Sequence, residues 1–405
     1  MAEPKVRFKQ NDGTSFPAWE NNTIGHYLQI RDEKQTPSEL APLMAFIAYQ
    51  GVADKGDRYD RSFLVKSDDK KYKRTEFNDF IYSSNNLDVG SIGLNKYGSA
   101  VISVVYEIFK CKENCIPDCI NALLQMPQSI AKMLKYRQGA LYGQYKIPAE
   151  DFLSIRIDMP CLEEQQKIAD FLSSVDEVIT ASEEEVVNLE TQKKAVMKKI
   201  FSQEVRFKRA DGSVFPEWEE KPLEKLADFS KGQGYTKSDL TDAGHPIILY
   251  GRLYTKYQTV ISEVDTFAEM RPKSVLSKKG DVIVPASGET AEDISVAAVV
   301  DADGIILGGD LNIIHPNDEI LPAYLAYSLT FGTPHNEMAK RAQGKSVVHL
   351  HNADLKTAKI VYPHRDEQAV IVKFLSDFDK AIVTAKKELE LWKELKKGLL
   401  QQMFV

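Results

Sequence analysis

A fifteen-residue line occurs twice in this chain. VRFKQNDGTSFPAWE runs from Val6 to Glu20 and VRFKRADGSVFPEWE from Val205 to Glu219, with ten of fifteen positions identical at an offset of 199. A second pair follows at an offset of 203, with EEQQKIADFLSSVDEVI starting at Glu163 and DEQAVIVKFLSDFDKAI at Asp366. Its matches include Glu164/Glu367, Gln165/Gln368, Asp176/Asp379, Lys193/Lys396 and Phe201/Phe404. The stretches 21–148 and 220–350 share almost no residues. Repetition of this kind constrains a fold before any local propensity does. The chain alternates variable, constant, variable, constant.

Both constant stretches carry one apolar face at three- and four-residue steps. In the first, Ile168, Phe171, Leu172, Val175, Ile179 and Leu189 mark it; in the second, Ile371, Phe374, Leu375, Phe378, Ile382 and Trp392 do. Neither contains proline, and Gly398 is the only glycine. The period predicts two helices of about ten turns, each about 60 Å long. An apolar stripe of that length needs a partner, and the obvious one is its own copy. Early acids (Glu163, Glu164, Asp170) and late lysines (Lys193, Lys194, Lys198, Lys199) in the first helix suit the helix dipole. Chain order makes the pair antiparallel. The repeat is then circular, the doubled line is the connector that hands each helix to the next variable part, and Val405 is predicted to lie near Met1.

The variable parts read as α+β. Strand-like runs in the first are DRSFLVK, DFIYSS and AVISVVYEIFK, and INALLQMPQSIAKMLKYR reads as a helix interrupted near Pro127. The second has HPIILYG, GDVIVPAS, ISVAAVV and GIILGG as strands and PAYLAYSLT as a helix. FNDFIYSSNN (Phe77–Asn86) aligns with KGDVIVPASG (Lys279–Gly288), although the first lacks the Gly-Asp start. RQGALYGQYKI (Arg137–Ile147) aligns with AQGKSVVHLHN (Ala342–Asn352). The expected division is 1–160 (connector 1–20), helix 161–203, 204–362 (connector 204–219) and helix 363–405.

No motif points to catalysis. GQGYTK from Gly232 lacks the third glycine of a dinucleotide loop, and QGKS at Gln343–Ser346 has Ala339 where a phosphate loop needs glycine. Cys111, Cys115 and Cys119 lack paired CxxC spacing, which predicts structural thiols. His349 and His351 would share a strand face, where ordinary polar contacts are the expectation. No metal is expected. Four cysteines, no long apolar run and no apolar core in MAEPKVRFKQ predict a cytoplasmic chain without membrane spans.

Binding features are more informative. Asp54–Arg74 holds eight basic and five acidic residues with Tyr59 and Tyr72 between them. Lys231, Gln233, Tyr235, Lys237, Tyr250, Arg252, Tyr254 and Lys256 fall in loops punctuated by glycine. Lys and Arg neutralise phosphates, and Arg, Asn and Gln read base edges. A net charge of -7 argues against nucleic acid only if charge is evenly spread. From Leu162 to Ser202 nine acids face five bases, so part of the negative charge sits on the helix.

The alternation, the helix EEQQKIADFLSSVDEVI, and KGDVIVPASGETAEDISVAAVV with GGDLNII and AQGKSVVHLHNADLKTAKIVYP resemble the specificity subunits of type I restriction-modification systems. The element Pro-(x)2–3-Glu-Gln-x-x-Ile-x-x-Phe/Leu-Leu occurs at Pro160–Leu172 and Pro363–Leu375. The resemblance covers essentially the whole chain. It implies two target recognition domains separated by paired antiparallel helices, in a circular repeat with pseudo-two-fold symmetry. It also implies a non-catalytic subunit. Each domain would read half of a bipartite double-stranded DNA target, and the helices would set the spacing and dock two methyltransferase subunits. S-adenosylmethionine, ATP and magnesium would belong to partner subunits, restriction subunits among them. Expected DNA contacts are Arg58, Arg61, Asn85, Asn86, Asn95, Lys96 and Gln144 in the first domain. In the second they are Lys231, Gln233, Tyr235, Arg252, Ser287, Glu289, Lys345 and Ser346. The alternative is an adaptor that assembles partners through its helices and reads no DNA.

Overall fold

The Val6 amide donates to the Gln402 carbonyl at 3.1 Å, and the Val205 amide donates to the Lys199 carbonyl at 3.2 Å. Gln402 and Lys199 are one position of the repeat. The connector at the start of the chain therefore stands to the end of the second long helix as the internal connector stands to the end of the first. This closes the circle that the sequence repeat implies. The geometry comes from a computed structural model, which describes residues 4–54, 70–141, 144–290, 293–341 and 348–404. Met1 and Val405, and the run DRSFLVK, lie outside the described residues.

The long helices are Leu162–Phe201 and Arg365–Met403. Two compact units form, one from 1–182 with 388–405 and the other from 183–387. These differ from the four expected segments because each helix gives one half to each unit. In the first unit Ile168 and Leu172 share a core with Met403 and Phe404. In the second, Met197 and Ile200 share one with Ile371 and Leu375. Within each unit the start of one helix thus meets the end of the other, as antiparallel pairing requires.

Each connector locks onto a helix start through a buried carboxylate. Glu164 is fully buried, bound by Arg7 Nη2 at 2.7 Å and Trp19 Nε1 at 3.3 Å. Glu367 is fully buried too, bound by Arg206 Nη2 at 3.0 Å and Trp218 Nε1 at 3.3 Å. Glu164 is therefore an ion-pair anchor rather than a surface acid answering the helix dipole. Phe171 and Phe374 also depart from the pairing role expected of them. They meet the connector rings Phe8 and Phe207 edge to face at 5.6 and 5.4 Å. The apolar face is wide enough to serve two neighbours, the connector and the other helix. Val175 and Ile382 are buried, while Ile179, Leu189, Phe378 and Trp392 are half-buried.

The two units share a sheet plan despite their low identity. The first orders its strands Leu28–Ile30, Glu107–Cys111, Phe80–Tyr82, Ile92–Leu94. The second orders them Ala227–Lys231, Leu311–Pro316, Asp281–Pro285, Ala298–Val300, with Val260–Ile261 added at the edge. AVISVVYEIFK, expected as one strand, splits at a turn with Val104 and Val105 exposed. Ala100–Ile102 pairs with Tyr72–Thr75, and Glu107–Cys111 joins the main sheet. Helices Pro117–Leu124 and Pro127–Leu134 each begin at a proline, whose missing N–H costs nothing in a first turn. The corresponding element in the second unit is Pro322–Phe331. Gln165 accepts the Ile116 amide at 2.8 Å and Gln368 accepts the Leu321 amide at 2.7 Å. Each bond fixes a short helix against a long one.

The missing Gly-Asp start is supplied in another way. Gly280 has φ +94°, and Asn78, at the matching position, has φ +65°. Asp79 Oδ2 accepts the Glu76 amide at 2.7 Å, and Asp281 Oδ2 accepts the Lys278 amide at 2.8 Å. Asparagine tolerates the left-handed region better than other non-glycine residues. Gly280→Ala should therefore cost about 1–2 kcal/mol and Gly280→Asn clearly less, as read by thermal unfolding. Equal losses would refute the conformational argument.

Candidate nucleic-acid interface

In the second unit, Lys231 and Gln233 are exposed where the edge strand Ala227–Lys231 runs into a tight loop. The loop's glycines are structural. A Cβ on Gly232 would lie 2.0 Å from the Gly308 carbonyl oxygen, and Gly234 has φ +61°. Tyr235 follows with φ +56° and turns inward to 6% exposure. Its hydroxyl donates to the Glu269 carbonyl at 2.9 Å and accepts the Arg271 amide at 3.0 Å. The Arg271 guanidinium lies 4.5 Å from the ring centroid. Tyr235 is thus a platform that holds Arg271, not the free DNA contact expected of it. Nothing in the local sequence around Arg271 announced that pairing.

Arg252 also departs from expectation. Its Nη1 pairs with Asp265 at 2.5 Å, and its Nη2 donates to Gln258 Oε1 at 3.2 Å and to the Glu263 carbonyl at 3.0 Å. Lys256 joins the same carboxylate at 2.5 Å. Lys256 and then Arg252 hold the Asp265 carboxyl far below the usual carboxylate range. Ser287 is buried, its backbone paired with His349 and its carbonyl accepting from Tyr254 at 2.7 Å, so its side chain is not presented. Glu289 is exposed just beyond. Lys345 and Ser346 lie outside the described residues. A cleft of about 980 Å³ opens here, lined by Tyr235, Lys237, Tyr250, Arg252, Lys256 and Arg271 among others. Arg271 is paired with Asp239 at 2.5 Å, so most of the cationic groups lining it already have carboxylate partners.

In the first unit Asn86 is exposed, while Asn85 is half-buried and accepts the Tyr145 amide at 2.6 Å. Asn95 is fully buried and fully used. It donates to Thr75 Oγ1 at 3.1 Å and the Gly98 carbonyl at 2.7 Å, and accepts the Tyr97 and Gly98 amides at 2.9 and 3.2 Å. Its hydrogen bonds are spent on shaping a loop. Lys96 next to it is exposed, paired with Asp118 at 2.8 Å and donating to Asn78 Oδ1 at 2.8 Å. Arg58 and Arg61 lie outside the described residues, as does the side chain of Gln144. Arg137, not singled out by sequence, lies with its guanidinium 4.9 Å from the Tyr145 ring centroid.

The other candidates resolve into structure. Cys119 is fully buried and Cys115 nearly so, and both thiols are pushed well up. For Cys115 the first cause is its hydrogen bond with Cys111; for Cys119 it is burial. His351 caps the helix Asn352–Lys356, and its ring stacks on His349 at 6.2 Å. Among the described residues no group of three or more potential ligands is placed to hold a metal, and no helix is long and apolar enough to cross a membrane.

Known proteins share this organisation. The family described as type I restriction modification DNA specificity domain matches at residues 19–191 and again at 216–391. The MjaVIII type I restriction enzyme specificity subunit of Methanocaldococcus jannaschii is 25% identical over 410 residues, spanning 97% of this chain and 94% of that protein. The putative MjaX specificity subunit of the same organism is 26% identical over 278 residues, 66% of this chain and 63% of its own length. Among solved structures, the S subunit of a type I restriction-modification system from M. genitalium superposes with a TM-score of 0.59 at 14% identity, covering 100% of this chain and 99% of that one. A chain from a study of complex assembly and conformational transition in the type I R-M system gives 0.56 at 16% identity, over 96% and 98% of the two chains.

Proposed function

Because the chain belongs to the type I restriction modification DNA specificity family, matched twice along its length, we propose that each of its two variable parts reads one half of a bipartite double-stranded DNA target. The subunit is a non-catalytic one that recognises DNA for a restriction-modification enzyme. The observation that carries the two-part reading is the repeat itself. One connector, one buried Arg–Glu lock and one sheet plan occur twice, and they carry loops that share almost nothing. A duplicated frame with unlike loops suits two unlike half-sites. The long helices would set the spacing between half-sites and dock two methyltransferase subunits, through which restriction subunits join in the cytoplasm. S-adenosylmethionine, ATP and magnesium would be held by those partners.

For contacts this reading favours the exposed side chains Asn86, Lys96, Lys231, Gln233 and Glu289, together with Arg58, Arg61, Gln144, Lys345 and Ser346. Asn85, Arg252 and Tyr235 would act by holding loops. Lys231→Ala tests this. In the complex with the methyltransferase, log K for target DNA against log salt should lose about one unit of slope, with the preferred sequence unchanged. An unaltered slope would remove Lys231 from the interface.

A further inference from the structure

Asp176–Lys396 in the first unit and Asp379–Lys193 in the second are ion pairs at the same two repeat positions. Around the second pair the chain supplies a phenol. The Tyr327 hydroxyl donates to Asp379 Oδ2 at 2.5 Å, and the Lys193 ammonium lies 5.3 Å from the Tyr327 ring centroid and 5.5 Å from that of Phe331. Around the first pair, Ala122 holds the position of Tyr327. The register is fixed independently: Pro117 and Pro322 open the two short helices, and the residues before them donate to Gln165 and Gln368. One turn before Ala122 and Tyr327, Cys119 and Tyr324 are both fully buried.

The missing side chain leaves a pocket of about 500 Å³ within the first unit, lined by Ala122, Gln125, Leu172, Asp176, Lys396 and Leu400 among others. It also leaves the ion pair open. Asp176 and Lys396 are 53% and 31% exposed, against 33% and 9% for Asp379 and Lys193. A carboxylate accepts and cannot donate, so Asp176 suits a hydroxyl donor. The neighbouring Lys396 ammonium suits an aromatic face.

We propose that this pocket is a subsite for a tyrosyl side chain presented by a protein that docks on the first unit, its hydroxyl donating to Asp176 and its ring lying under Lys396. The second unit carries its own tyrosine there and needs none. The inference rests on the comparison of the two units and does not depend on DNA recognition.

Titration of the full-length chain with p-cresol, followed by NMR, tests it. The wild type should bind one equivalent saturably and prefer p-cresol to toluene by about tenfold, as a hydrogen bond to a charged acceptor gives. Ala122→Tyr should abolish binding by supplying the phenol internally. Asp176→Ala keeps the pocket open and should remove the preference while toluene binding stays, a readout that holds even if Ala122→Tyr folds poorly. Absence of saturable binding, equal affinity for toluene, or p-cresol binding unchanged in a folded Ala122→Tyr chain would overturn the proposal.

Discussion

Leu375→Asp should unfold the second unit. Leu375 is fully buried in a core that joins the second long helix to Met197 and Ile200 of the first and to Tyr324 of the short helix. Loss of the side chain alone costs about 2–5 kcal/mol. A carboxylate placed in this apolar core adds a desolvation cost of several kcal/mol. The sum approaches the whole stability of an ordinary domain, about 5–15 kcal/mol. Val383→Asp on the same helix, where the side chain is 59% exposed, should change stability by no more than about 0.5 kcal/mol. Amide hydrogen exchange resolved along the chain separates the two. Protection across 183–387 should collapse in Leu375→Asp and persist in Val383→Asp. Native protection in Leu375→Asp would contradict the packing described.

Arg206→Ala should be nearly as damaging, for an electrostatic reason. It leaves Glu367 fully buried with the Trp218 indole as its remaining side-chain donor among the described residues. Removing one partner of a buried pair costs about 3–5 kcal/mol because the other charge stays behind. Arg206→Ala combined with Glu367→Met should recover much of the loss, since no bare charge remains. The same cycle on Arg7 and Glu164 should give the same pattern in the first unit. Strict additivity of the two single changes in chemical denaturation would show that the lock carries no coupling.

The long-range architecture was legible because it is periodic. A three- and four-residue apolar step fixes a helix, and a doubled helix fixes its partner; the break at Pro127 follows from one missing N–H. What the doubled line does was only half legible. Its Arg, Phe and Trp are visible in the string, but the fully buried Glu164 that they cover looks there like any helix-start acid. Individual contacts were the least legible. Asn95, Arg252 and Tyr235 have the hydrogen-bonding capacity of DNA readers, yet that capacity is used on Gly98, Asp265 and Glu269, and the Ser287 hydroxyl is buried. Residue type states what a side chain can bond to, and only the fold states where those bonds go. Asn78 is the converse case, a residue unlike its counterpart Gly280 that makes the same turn.

In the proposed function each variable part reads its own half of the target. Exchange of residues 21–160 for the matching segment of another member of the family, followed by a genome-wide map of methylated adenines, separates this from an adaptor that reads no DNA. One half of the methylated sequence should change and the other half should stay as it was. An unchanged methylation pattern from a folded, assembled chimera would show that residues 21–160 do not read the target.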